Sequence, residues 1–224
     1  MTNEPLPGNT YGPISKTGEN FRLMVKALEL ALEQKPKDFW SWNNLAHLYF
    51  NEGQVNRSLG LYQKSLEIMP DHPVTHLQVG IAYFRLAKLA EAIDALKRAV
   101  KLDEDLVMAY YYLGVTYYHL GQNEESLKNY QLVEQKGPES AIVYYHLAEV
   151  YLQMKRHQDV IRVTEKLLRA NPACPTAWYQ MGLARFALHE SAEAAVAFRN
   201  VLRYSPQDKR AEKMLDMILN VADI

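Results

Sequence analysis

The sequence predicts an all-α fold, an α-solenoid built from stacked antiparallel helix pairs. Three observations predict it: a landmark residue recurs every 34 residues, a small residue follows it at a constant spacing, and a proline closes most copies. The landmarks are Trp42, His76, Tyr110, Tyr144 and Trp178. Five copies in phase, without an insertion, are the signature of a repeat architecture.

Each copy also has the residue pattern of two packed helices. When the landmark is counted as position 4, positions 4, 7, 8 and 11 fall on one stripe of a helix with about 3.6 residues per turn. Position 8 is always small, so a second helix can approach closely. The proline cannot continue a helix and ends the copy. A single pair cannot bury its apolar face alone, so neighbouring pairs must stack. The position 8 residues are Ala46, Gly80, Gly114, Ala148 and Gly182.

The copies divide the chain in order. Residues 1–18 are expected to form a flexible tail, because prolines and glycines rule out a helix over Pro5–Lys16. Residues 19–222 are expected to form a single domain. It begins with a half repeat at 19–36 and ends with a capping helix at 209–222, with Met214, Leu215, Ile218 and Leu219 inward. The complete repeats between them are 39–72, 73–106, 107–140, 141–174 and 175–208.

The repeat resembles the tetratricopeptide repeat (TPR) family, whose 34-residue helix–turn–helix unit carries a W-x₂-L-G-x₂-Y pattern. Residues 39–72, "FWSWNNLAHLYFNEGQVNRSLGLYQKSLEIMPDH", follow this pattern nearly throughout. The resemblance implies a right-handed superhelix of about five complete units. Two departures are Glu104 in place of proline and Arg185 in place of an aromatic residue. Bulky residues also replace the small residue late in three second helices: Val133, Leu167 and Val201.

The resemblance also implies where partners bind. In this family the first helix of each unit lines a concave surface, which positions 2, 5, 9, 12 and 13 face. Positions 4, 7, 8 and 11 are explained by packing, so binding candidates come from the other set. Transferred to this sequence, the predicted partner-binding residues are Asn43, His47, Phe50, Leu77, Ile81, Phe84, Tyr111, Val115, Tyr118, Tyr145, Glu149, Tyr179 and Leu183.

The predicted surface is mostly aromatic and aliphatic. Exposed apolar groups in a concavity mark an interaction site, and tyrosine offers a large contact area at small entropy cost. In "MAYYYLGVTYYHLGQ", residues 108–122, Tyr110 and Tyr117 are expected to pack, while Tyr111 and Tyr118 are expected to face the concavity. Position 5 is expected chiefly to face a ligand and position 12 chiefly to support packing. The pattern favours modest-affinity binding of a hydrophobic peptide or helix.

One known subtype of the family is excluded. Members that grip the acidic C-termini of heat-shock chaperones carry lysine, asparagine and arginine at defined positions of successive repeats. The corresponding residues here give no such set, whichever repeat is taken as the first. The sequence therefore predicts that a carboxylate clamp is absent. Counted from the first complete repeat, those residues are Asn43, His47, Gln78, Met108 and Tyr112.

The composition excludes several other functions. A net charge of −1 gives no field that would attract nucleic acid. The single cysteine, Cys174, excludes an intramolecular disulfide. No secretion signal and no apolar run of about 18 residues is present, so a cytoplasmic protein without membrane insertion is expected. His72 and His76 are separated by Pro73, which argues against a shared metal site. With no catalytic motif in the sequence, no catalytic residue, metal or cofactor is predicted.

The expected function is that of a non-enzymatic scaffold or adaptor that holds partner proteins during assembly of a larger complex. Two alternatives stay open: a chaperone for hydrophobic segments of secretion or organelle-assembly substrates, and a regulatory subunit of an enzyme complex. The proline-containing tail either is a flexible leader or docks on its own or a neighbour's groove, which would allow self-association. The fold by itself does not decide among these functions.

Overall fold

The computed structural model describes residues 18–137 and 141–221, and all the regular structure over these residues is helical. The tail over residues 1–17 and Pro138 lie outside the described residues. The helices are α1 Gly18–Gln34, α2 Phe39–Asn51, α3 Val55–Ile68, α4 Pro73–Arg85, α5 Leu89–Leu102, α6 Val107–His119, α7 Asn123–Lys136, α8 Ala141–Gln153, α9 His157–Ala170, α10 Pro175–Ala187, α11 Ser191–Tyr204 and α12 Lys209–Val221.

The helices fall into two compact units, residues 1–102 and residues 103–224. In the first unit α2 packs on α3 and α4 packs on α5, with α1 against α2 and α3 against α4. In the second unit the pairs are α6 with α7, α8 with α9 and α10 with α11, and α12 packs on α11. This confirms the predicted helix pairs. Over the described residues no helix is long and apolar enough to cross a membrane.

Side-chain caps begin several of the first helices. An Asp38 carboxylate oxygen accepts the backbone N–H of Ser41 at 2.8 Å at the start of α2. His72 Nδ1 accepts the backbone N–H of Thr75 at 3.2 Å at the start of α4. Both residues occupy the same repeat position, just before the first helix. Such caps satisfy backbone donors that have no partner inside the helix.

The landmark side chains have a second role that spacing alone does not reveal. Trp42 Nε1 donates to the Pro36 carbonyl at 2.8 Å, and Trp178 Nε1 donates to the Pro172 carbonyl at 2.8 Å. His76 Nε2 lies 2.7 Å from the Pro70 carbonyl, so this nitrogen carries the proton. At these three landmarks a hydrogen bond to the proline that ends the preceding unit therefore closes the turn.

The small residue at position 8 allows close helix approach, as predicted. A Cβ added to Gly114 would lie 2.6 Å from Tyr130 Cε1, and one added to Gly182 would lie 2.8 Å from Phe198 Cε1. At Gly80 the nearest atom, Leu96 Cγ, would be 2.6 Å away. The second helix of each of these pairs thus places a large side chain directly over the glycine. The alanines at this position, Ala46 and Ala148, are fully buried.

The turn between the two helices of each pair needs a left-handed backbone. Gly53 and Gly121 adopt φ values of +79° and +70° there. Ala87, Lys155 and His189 occupy the same repeat position with φ values of 56° to 63°. Only glycine adopts this conformation without a steric penalty, so three of the five turns hold strained residues.

The departures from the family pattern are accommodated. Val133, Leu167 and Val201 are buried in the core of the second unit. Arg185 replaces the usual aromatic residue and pairs instead with Glu190, at 2.6 Å between Nη1 and Oε2. The acidic run at 103–105 forms a turn, and Asp105 pairs with Lys136 at 2.7 Å.

The last helix buries a narrower stripe than expected. Ala211, Leu215 and Ile218 are buried against α11, and Met214 is partly buried. Leu219 is 50% exposed, so the prediction that it points inward is wrong. It occupies position 11, where Tyr49 of the first complete repeat contacts Phe21 on α1 and Arg57 on the second helix α3. No second helix follows α12 within the described residues.

Candidate partner-binding surface

The first helices of the second unit present a continuous row of side chains. α6 contacts α8, and α8 contacts α10, so the three first helices lie side by side. We call their shared outer row the second-unit surface. Each of its members is partly buried, which leaves part of every side chain accessible. It comprises Tyr111, Val115, Tyr118, Tyr145, Glu149, Tyr179 and Leu183.

Tyr111 is held in place by His146 on the neighbouring helix. Its hydroxyl lies 3.0 Å from His146 Nε2. The His146 ring stacks on the buried Tyr130 ring, with centroids 5.5 Å apart and planes 10° from parallel. Burial lowers the pKa of His146, which favours the neutral ring, and its Nε2 shares a hydrogen bond with the Tyr111 hydroxyl. Burial also raises the pKa of Tyr111, and the phenol stays neutral.

Glu149 lies at the middle of this row and is approached from both sides. Tyr118 on α6 donates its hydroxyl to Oε2 at 3.4 Å, and Gln180 on α10 donates Nε2 to Oε1 at 2.5 Å. Gln180 is only 2% exposed, so its amide is a fixed donor. Burial, followed by the charge of Glu149, raises the pKa of Tyr118 and of Tyr145. The carboxylate is therefore close to both phenols.

Tyr179 marks the far end of the row. Its ring packs edge-on against Phe198, with centroids 5.6 Å apart. The Arg210 guanidinium carbon lies 4.7 Å from the Tyr179 centroid, within the range of a cation–π contact. Arg210 also pairs with Asp208 through two nitrogens, at 3.1 Å and 2.8 Å. The cation is thus already neutralised within the protein.

The first unit carries a second row on α2 and α4. Asn43 Nδ2 donates to the Thr75 hydroxyl at 2.5 Å, which links the two helices. Arg85 covers the Phe50 ring at 4.7 Å from its centroid and donates to the Phe50 carbonyl at 3.3 Å. His47 is exposed, whereas the other accessible members are partly buried: Asn43, Phe50, Ile81 and Phe84.

Leu77 differs from the other predicted binding residues. It is 5% exposed and belongs to the core. The position 5 side chain in this repeat therefore offers almost no surface to a partner. Among the tyrosines of residues 108–122, Tyr117 is buried as predicted, and Tyr111 and Tyr118 are partly accessible. Tyr110, which was predicted to pack, is also only partly buried, so burial does not separate it from Tyr111 and Tyr118.

Three residues that contact the second-unit surface are not among the binding residues predicted from the sequence. His146 and Gln180 occupy position 6 of their repeats, and Arg210 occupies position 2 of the unit that α12 begins. Residues spaced by three or four lie on one helix face, so positions 2, 6, 9 and 13 form one row. The polar side chains at position 6 could have indicated from the sequence that His146 and Gln180 lie beside the binding row.

The pH dependence of the free energy of unfolding should reflect the lowered pKa of His146. Its pKa is held below the ordinary 6.5, mainly by burial; Glu149 acts in the opposite direction and His119 lowers it further. Well above pH 6.5 the ring is neutral in both the folded and the unfolded state. As the pH falls below that value, the unfolded chain binds a proton first, so the free energy of unfolding decreases until the folded pKa is reached.

Urea unfolding measured between about pH 7.5 and about pH 5 tests this expectation. The decrease should be shallower in His146→Gln than in the unchanged protein. The matched control, His189→Gln, removes an exposed histidine and should leave the slope as it was. Some slope should persist in His146→Gln, because burial also lowers the pKa of His72. An identical slope in His146→Gln would contradict the prediction.

The sequence matches known repeats over much of its length. Three sequence profiles described as "Tetratricopeptide repeat" match residues 38–105, 77–141 and 141–174. Together they span residues 38–174, which hold four of the helix pairs, from α2 to α9. No curated protein gives a significant match to the sequence.

Solved structures show the same fold. YrrB, described as "a TPR protein with an unusual peptide-binding site", has a TM-score of 0.76 at 17% identity, covering 84% of this chain and 97% of YrrB. A MamA structure has a TM-score of 0.69 at 25% identity, covering 74% of this chain and 97% of MamA. The pilF protein of Pseudomonas aeruginosa has a TM-score of 0.69 at 21% identity, covering 84% and 87%.

Proposed function

The chain belongs to the tetratricopeptide repeat family, and we propose that it is a non-enzymatic scaffold or adaptor. It binds a peptide or helix of partner proteins and so helps to assemble a multiprotein complex. One observation carries the proposal: four tyrosines on three adjacent helices of the second unit form a partly accessible row. They are Tyr111, Tyr118, Tyr145 and Tyr179.

These tyrosines are positioned before a partner arrives. Tyr111 is held by His146, Tyr118 by Glu149 and Tyr179 by its contact with Phe198. Side chains already fixed in one rotamer lose little conformational entropy on binding. A tyrosine ring also offers a large apolar face together with a hydroxyl that can donate or accept. Such a row suits an extended peptide or one face of a helix.

The expected affinity is modest. Each buried apolar anchor contributes about 1.5–3 kcal/mol before costs. Three or four anchors, offset by the ordering of a flexible peptide, leave about 6–8 kcal/mol, which corresponds to roughly micromolar binding. An affinity of this order suits an adaptor that gains further strength from several contacts in an assembly.

The polar contacts within the row favour a selective binder over a general holder of apolar segments. Glu149 and His146 lie between the tyrosine rings, and both are fixed by hydrogen bonds to their neighbours. A partner that covered them without offering a polar group would leave buried polar atoms unpaired, which is unfavourable. YrrB, which shares the fold, is described by a peptide-binding site, and a peptide is the kind of ligand that we propose here.

Partners captured by affinity purification and identified by mass spectrometry supply the peptides for a quantitative test. Isothermal titration calorimetry should give roughly micromolar dissociation constants for peptides that occupy the surface. Tyr111→Ala and Tyr145→Ala should each weaken binding by about tenfold or more, because each removes one apolar anchor. Tyr204→Ala is the matched control, since Tyr204 is an exposed tyrosine at the end of α11.

Unchanged affinity in both Tyr111→Ala and Tyr145→Ala, with the unfolding transition preserved, would show that partners bind elsewhere. An enzymatic activity that copurifies with the chain and changes when the chain is removed would favour a regulatory subunit instead. Preferential binding of unfolded chains over the selected peptides would favour a chaperone.

A further inference from the structure

Glu149 has no ion pair among the described side chains, although it is partly buried in the centre of the second-unit surface. Its two hydrogen-bond donors, the Tyr118 hydroxyl and the Gln180 amide, are both neutral. An ionised carboxylate offers about four acceptor sites, two on each oxygen. Each oxygen of Glu149 therefore accepts one internal donor and keeps capacity for another.

Two basic side chains beside the tyrosine row, Arg210 and His146, are committed or uncharged. Arg210 is paired with Asp208 through two hydrogen bonds and lies over the Tyr179 ring. His146 is neutral at pH 7, because burial lowers its pKa. A partner that covers Glu149 with apolar atoms would strip water from an uncompensated charge, which is strongly unfavourable. A partner that brings a cation would instead complete the site.

The surroundings of Glu149 favour a guanidinium group. Tyr118 and Tyr145 lie close enough for the charge of Glu149 to raise their pKa values. Aromatic faces attract a cation, and arginine does so more often than lysine. Arginine also donates through a planar fork that matches the two free acceptor sites of a carboxylate. Lysine would satisfy the charge but not the paired geometry.

We propose that the partner peptide carries a basic side chain, arginine in preference to lysine, that pairs with Glu149 beside Tyr118 and Tyr145. This inference rests on the proposed function, since it specifies the peptide that the same surface binds. The recognised segment would combine aromatic or aliphatic anchors for the tyrosine row with one cation at a constant spacing from them. It is the opposite preference to that of a carboxylate clamp, which binds acidic peptides.

A random dodecapeptide phage library, selected on the full chain and in parallel on Glu149→Gln, tests the inference. Peptides selected on the unchanged protein should share an arginine at a constant spacing from aromatic or aliphatic residues. Those selected on Glu149→Gln should lack that arginine but keep the apolar anchors. A synthetic copy of a selected peptide should bind Glu149→Gln about tenfold more weakly. Glu165→Gln, which removes an exposed carboxylate on α9, should bind it normally.

A change in the peptide keeps the test valid even if Glu149→Gln folds poorly. Replacing the selected arginine by citrulline removes the charge and keeps the shape, and should weaken binding to the unchanged protein by about tenfold. Two results would overturn the inference about the basic side chain: selected peptides without a basic preference, or equal affinities of the arginine and citrulline peptides. The proposed function would still stand if Tyr111→Ala and Tyr145→Ala weaken binding. Failure to select any peptide, or no effect of the tyrosine variants, would overturn the proposed function as well.

Discussion

Phe198→Ala is expected to lower the free energy of unfolding by about 3–5 kcal/mol, the largest effect that we predict for a single substitution. The Phe198 side chain is fully buried on α11. It covers Gly182 on α10, contacts the Tyr179 ring and belongs to a cluster with Leu215 and Ile218 on α12. Its removal would leave a cavity among three helices that cannot close without moving one of them.

Urea unfolding followed by far-ultraviolet circular dichroism measures this loss. Val196→Ala is the matched control, since Val196 lies two residues away on the same helix and is 52% exposed. Its effect should stay within about 0.5 kcal/mol. A loss below about 1 kcal/mol for Phe198→Ala would mean that the three helices can collapse around the missing ring.

Gly114→Ala and Gly60→Ala should change stability in opposite directions, although the substitution is the same. At Gly114 the new Cβ would lie 2.6 Å from the ring of Tyr130, which is only 1% exposed and would have to shift. The net loss should be about 1–3 kcal/mol. At Gly60, on the exposed side of α3, no atom lies within 4 Å of the added Cβ. Alanine should stabilise that helix by about 0.5–1 kcal/mol.

The same urea titrations compare the two glycine variants. Equal changes in the free energy of unfolding would show that helix propensity dominates at both positions. They would also show that α6 and α7 can adjust to an added methyl group. The Gly114 variant has a functional consequence as well. Tyr130 stacks on His146, and His146 holds the Tyr111 hydroxyl. A displaced Tyr130 should therefore weaken peptide binding, whereas Gly60→Ala should leave binding unchanged.

The architecture could be predicted from the sequence because it depends on spacing. A residue that must be small at position 8 recurs at each close helix contact, as Gly80, Gly114 and Gly182 do. A proline recurs at most of the turns between units for a local reason, since it cannot continue a helix. Such constraints repeat in every unit, so five copies reinforce one another.

The candidate site could be predicted only in part. The helix period places Tyr111, Tyr118 and Tyr145 away from the packing stripe, and each is partly accessible. The same rule places Leu77 there, yet Leu77 is buried. The exposure of Leu77 depends on how closely the neighbouring helices approach, and the residue spacing within one repeat does not determine that distance.

The sequence by itself determined the helix pairs, their order and the small residue at the close contact within each pair, because these follow from local steric rules repeated at a constant period. Only the tertiary structure decided which polar groups meet. Gln180 and Tyr118 reach Glu149 from helices 31 residues away on either side, and His146 reaches Tyr111 across 35 residues. Those pairings depend on how the neighbouring helices are placed and on side-chain rotamers, which no single repeat encodes.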